Sequence, residues 1–164
     1  MAGTNLEGSP MNDSSQPTFS IEKIYVKDLS LEVPGGPQAF MRQEQPQLEV
    51  QITQQSERVS EVLIEVTLVV TVTAKSGEKV LFLVEASQAG VFQIRNVAEP
   101  DLPPLLGIVC PNVLFPYARE TVSDLITRAG FPPVLLAPVN FESIYQQRVA
   151  AATKPDEPRI EVAH

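Results

Sequence analysis

Two hydrophobic periods divide the chain. As far as Ile94 apolar residues recur mostly at every second position, and beyond Cys110 they recur at helical spacing. "FSIEKIYVKDLSLEV" carries Phe19, Ile21, Tyr25, Leu29, Leu31 and Val33 at odd positions, with Asp28, Ser30 and Glu32 at even ones. One face of this strand is therefore expected to be apolar and the other wet and negative. "QLEVQIT" puts Leu48, Val50 and Ile52 on one face, and "VSEVLIEVTLVVTVTA" does the same with Val62, Ile64, Val66, Leu68, Val70 and Val72. "KSGE" then marks a tight turn, because Gly77 accepts a positive φ at no steric cost. The fourth run, "KVLFLVEASQAGVFQI", is apolar on both faces near its start. Val80, Phe82, Val84 and Ala86 point one way, and Leu81 and Leu83 point the other, beside Glu85. A single helical layer covers only one side of a sheet, so the second side is either wet with scattered apolar residues or pressed on a partner. "PGGPQAFMRQEQP" is too long for a hairpin loop and must cross over something. Four such strands predict an antiparallel sheet.

"CPNVLFPYARETVSDLITRAGF" reads as a helix with Asn112 as its N-cap, Arg128 in its last turn and Gly130 as its stop. Leu114, Ala118, Val122, Leu125 and Ala129 form one stripe, which Val113, Tyr117, Thr121 and Ile126 widen beyond an ordinary core-facing face. Other copies of the chain would account for the surplus. Pro116 is expected in or just after the first turn. "FPPVLLAPVN" must be extended, and Asn140 caps a second helix with Phe141, Ile144, Tyr145 and Val149 on its buried side. The fold class expected is α+β: a four-stranded antiparallel sheet with two C-terminal helices. Residues 18–150 make one domain between an N-terminal tail, 1–17, and a C-terminal tail, 151–164, both of disordered composition.

Charge and chemistry narrow the function. The 164 residues carry 20 acidic and 12 basic side chains, a formal charge of -8, which disfavours nucleic acid and anionic lipid as partners. No stretch has the length and apolarity of a membrane span or a secretory signal, so a cytoplasmic location without direct membrane insertion is expected. A single histidine, His164, and a single cysteine, Cys110, leave no Ser-His-Asp or Cys-His arrangement and no self-contained zinc site. Phosphate-binding glycine motifs are missing as well. Cys110 is expected to be a buried packing residue. No catalytic residue, metal or cofactor is expected.

The stretches "KIYVKDLSLEVP", "GIVCPNVLFPYARETV" and "LAPVNFESIYQQR" resemble SecB, the bacterial protein-export chaperone family, in the same order and over roughly Phe19 to Val149. The resemblance implies a homotetramer, a dimer of dimers with the long helix at the dimer–dimer interface. It implies an ATP-independent holdase that keeps precursor proteins unfolded and passes them to SecA. Asp28, Glu32, Leu83 and Glu85 match the family's SecA contacts. For the client groove, between the crossover and the second helix, the resemblance points to Phe40, Met41, Phe141 and Tyr145, with Phe115, Tyr117 and Phe82 as further contributors. For Phe82 and Phe115 plain core packing is the competing reading. The chain departs from the family in lacking the crossover tryptophan and in having Val109 where an aromatic is usual. A chaperone of the same type dedicated to a single client, such as an antitoxin, is the alternative. An enzyme working through sheet carboxylates is a distant third.

Overall fold

A computed structural model describes residues 15–41 and 44–153. Of the expected tails, 1–17 and 151–164, residues 1–14 and 154–164 lie outside the described residues. Strands β1 (Thr18–Glu32), β2 (Gln47–Arg58), β3 (Leu63–Ser76) and β4 (Lys79–Arg95) form one antiparallel sheet in the order β1-β4-β3-β2. The two hairpins, β2–β3 and β3–β4, follow from short loops. The β3–β4 turn places Gly77 at φ +62°, as its sequence requires. The β1–β2 connection carries the chain from one sheet edge to the other, which explains the length of the Pro/Gly segment.

The centre of one face of the sheet, formed by β3 and β4, is dry. Ile64, Val66, Leu68, Val70, Val72 and Ala74 of β3 and Phe82, Val84, Ala86 and Phe92 of β4 are almost fully buried. They pack beneath α1 (Cys110–Arg128), which contributes Cys110, Leu114, Ala118, Val122 and Ile126. Gly90 makes this approach possible, since a Cβ there would sit 2.9 Å from Leu114 Cδ2. α1 thus spends most of its wide stripe on its own sheet. Tyr117, at 51% exposure, is the large apolar residue that remains outside.

Three local expectations need correction. Tyr25 does not share a face with Phe19 and Ile21. β1 has bulges at Ile21–Lys23 and Val26–Asp28, and each extra residue shifts the alternation by one. Phe19, Ile21, Ile24, Val26, Leu29 and Leu31 therefore lie on the helix side, and Tyr25 turns to the open face. A further irregularity opposite Ala74–Lys75 turns Leu81 inward beside Phe82, although alternation placed it outward.

Secondly, Asn112 is not an N-cap. Helical backbone runs without a break from Leu102, through a π turn at Leu105–Val109, into α1, and Asn112 and Pro116 are both interior. The missed start signal is Pro103–Pro104, since proline suits a first helical turn, whose N–H groups have no partners anyway.

Thirdly, α2 (Phe141–Thr153) buries only Phe141 fully. Ile144 and Val149 are exposed, and the helix runs three residues past the expected boundary at 150. The other termini behave as read. Ser143 N–H donates to Asn140 Oδ1 at 3.0 Å. Gly130, at φ +91°, ends α1, with Phe131 N–H returning to the Ile126 carbonyl.

Candidate functional site

Two surfaces stand out, one on each side of the sheet. On the open side, pairing sets Asp28 opposite Ser87, Ser30 opposite Glu85 and Glu32 opposite Leu83. Direct cross-strand partners share a face, so Asp28, Glu32, Leu83 and Glu85 form one contiguous patch: three carboxylates around a half-buried leucine. Thr71 Oγ1 donates to Glu85 at 3.3 Å and steadies it from β3.

Next to the patch lies a polar clasp that sequence reasoning missed. Tyr25 Oη and Lys27 Nζ each donate to one oxygen of Glu65, across β4. Hydrogen bonds from Lys27 and then Tyr25 hold the Glu65 carboxyl below the ordinary glutamate range, and the bond to Glu65 raises Tyr25. Alternation errors hid the clasp, because Tyr25 reaches the open face only through the first bulge, at Ile21–Lys23.

On the helix side, the crossover turn Gly36–Phe40 ends against the C-terminus of α1. Phe131 packs between Phe40 (ring centroids 4.9 Å apart) and Phe82 (4.8 Å). Together with Leu48, Leu81 and Val134 these rings line an open trough of about 480 Å³. Phe40 forms an exposed wall and Met41 is 81% exposed, while Phe82 is floor. Phe131 was missed, although an apolar residue just after a helix-stopping glycine is a known signal of contact back onto the helix.

The remaining candidates fall elsewhere. Phe141 meets Phe115 edge-on at 5.9 Å, and both are buried. The Tyr145 ring lies over Gly107 in the π turn, where a Cβ would sit 2.6 Å from its Cδ2. Tyr117 joins neither set. Of the seven apolar candidates, Phe40 and Phe82 thus line the Phe131 trough, Phe115 and Phe141 meet each other, Tyr145 covers Gly107, and Met41 and Tyr117 are exposed.

Cys110 is fully buried, and burial pushes its thiol up to about 12, so it is not a nucleophile at neutral pH. Among the described residues no three His, Cys, Asp or Glu side chains gather to hold a metal, and no helix is long and apolar enough to cross a membrane.

The trough is open to solvent, and the acidic patch lies on the sheet face that α1 leaves uncovered. Comparison with known proteins gives the class, that of protein-export chaperones. The family described as preprotein translocase subunit SecB matches residues 12–152. Protein-export protein SecB of Chromobacterium violaceum is 61% identical over 135 residues, covering 82% of this chain and 90% of that protein. Its namesake in Azoarcus sp. is 58% identical over 142 residues, covering 86% and 94%. The chain belongs to the SecB family, whose members are chaperones and not enzymes. Among solved structures, the Mycobacterium tuberculosis SecB-like chaperone in complex with an antitoxin peptide shares the fold, with a TM-score of 0.60 at 16% identity over 74% of this chain and 90% of that one.

Proposed function

We propose that this protein is an ATP-independent holdase of the cytosol that keeps precursor proteins unfolded and delivers them to SecA, working as a dimer of dimers. The observation that carries the reading is the Phe40–Phe131–Phe82 trough, an aromatic surface that the chain leaves open to solvent. Burying one client aromatic of about 150 Å² at ~25 cal/mol/Å² contributes at most roughly 4 kcal/mol, and ordering removes much of that. One trough therefore holds weakly. Four troughs on one assembly hold a long chain well, because each later contact is intramolecular. Compact folded proteins cannot wrap between sites and are ignored.

Assembly is supported by a second row of exposed apolar residues. Phe19, Ile21, Val26 and Leu29 of edge strand β1 lie on the helix side, where α1 does not cover them. The acidic patch of Asp28, Glu32 and Glu85 is suited to a basic docking segment of SecA, with Leu83 supplying apolar contact. The curated relatives above are named for protein export, which favours this reading over a chaperone dedicated to one antitoxin.

The test is suppression of aggregation of a chemically denatured precursor without ATP. Wild-type protein should suppress it at near one assembly per client, and Phe40→Ser with Met41→Ser should lose most of the effect. A protein indifferent to unfolded chains would refute the proposal.

A further inference from the structure

The helix-facing row of β4 reads Phe82, Val84, Ala86, Gln88, Gly90, Phe92 and Ile94, and Gln88 is its one polar side chain, 3% exposed. An unpaired amide at that depth would cost roughly 1–3 kcal/mol. Gln88 is paired at both ends. Its Nε2 donates to the Tyr25 carbonyl at 3.1 Å, and its Oε1 accepts from Thr121 Oγ1 of α1 at 3.3 Å. The Tyr25 carbonyl adjoins the second bulge of β1. On the opposite face of the same strand, the side chains of Tyr25 and Lys27 are both tied to Glu65. They reach it over Ala89, which pairs with Tyr25 on one side and Thr67 on the other and is too small to obstruct.

The bulge is therefore gripped from both faces of the sheet. Its position decides which residues of the following segment face out. With the bulge at Val26–Asp28, Asp28, Ser30 and Glu32 face the open side and Leu29 and Leu31 the core side; moving it past them would invert the set. The clasp also directs the Lys27 ammonium onto Glu65, when its nearest neighbour in sequence is Asp28.

We infer that Thr121, Gln88 and Glu65 are positioning residues that lock the β1 bulge from α1 through the sheet, and so aim Asp28 and Glu32 at a basic docking segment. This rests on the docking role proposed above for the acidic patch. It adds that the patch is coupled to the helix on the other side of the sheet.

The experiment uses the full-length protein with purified SecA as the probe. It reads SecA affinity together with amide hydrogen exchange of residues 26–32. Thr121→Val removes the hydroxyl isosterically and Thr121→Ser restores it; Gln88→Met and Glu65→Gln cut the line at its other points. Thr121→Val and Gln88→Met should speed exchange across 26–32 and weaken SecA binding by about 5- to 10-fold. Thr121→Ser should return both to wild type, and client holding should be unchanged throughout. If Gln88→Met does not fold, the two Thr121 variants decide the matter. Wild-type exchange at 26–32 in folded Thr121→Val and Glu65→Gln would overturn the inference, whatever SecA does. The double variant Asp28→Ala with Glu32→Ala separates the two claims. Undiminished SecA binding there would overturn the docking role and with it the aim proposed for the clasp. Loss of binding there with none in Thr121→Val would overturn the positioning role alone.

Discussion

Glu65 shows how much one side chain depends on its neighbours. It is mostly covered, yet it is ionised, because Lys27 and Tyr25 both donate to it and Thr67 adds a third contact. A carboxyl whose folded value is depressed contributes stability that is complete above the unfolded titration and is lost as pH falls through the folded one. Wild-type protein should therefore lose thermal stability below about pH 4 more steeply than Glu65→Gln. Melting temperatures of the two across about pH 3 to pH 7 check this; parallel curves would contradict it. Gly107 is a second such residue, because the Tyr145 ring occupies the space of its missing Cβ. Gly107→Ala should destabilise by about 1–3 kcal/mol through overpacking. Adding Tyr145→Ala should recover much of that loss in a double-mutant cycle by denaturant unfolding.

Elements show where irregular backbone is put to use. The π turn at Leu105–Val109 lets Cys110 N–H reach back to the Leu105 carbonyl. The next bond in that pattern would need an N–H from Pro111, which has none. The Leu106 carbonyl instead accepts from Gln54 Nε2 of edge strand β2. A proline in the helix is thus compensated by a side chain from the sheet, and the helical lead-in is fastened to β2. Gln54→Leu keeps the bulk and removes the donor. It should cost roughly 1–2 kcal/mol and raise amide exchange in the lead-in while leaving the middle of α1 protected. Uniform exchange along both segments would contradict the fastening.

Across the whole molecule, area and charge set the two proposed partnerships apart. The helix-side apolar row of β1 suits another copy of the chain, and the acidic open face suits a basic partner. Val26→Asp, in the middle of that row, should lower the subunit count seen by native mass spectrometry while strand and helix content stay intact. Salt should act selectively. Raising it from 0.05 to about 0.5 M shortens the screening length severalfold, so SecA binding should weaken while aggregation suppression through the aromatic trough persists. Equal loss of both activities would show that the acidic patch and the trough are not separate sites.

The hydrophobic pattern of the sequence was sufficient to determine the sheet, the long helix, its stop at Gly130 and the cap at Asn140, because periodicity and turn chemistry are local properties. β3 was legible residue by residue, since its alternation has no interruption. The family was legible too, in "KIYVKDLSLEVP", "GIVCPNVLFPYARETV" and "LAPVNFESIYQQR", and strand pairing sets Asp28, Glu32, Leu83 and Glu85 side by side. Tertiary structure alone decided the face of Tyr25, the clasp on Glu65, the inward turn of Leu81 and the pairing of Gln88. It also decided that the aromatic candidates divide into separate contacts. The reason is common to all of them: a bulge is defined by the strand opposite, and an aromatic wall by what packs beneath it. Neither partner lies within the short window over which a sequence period can be read.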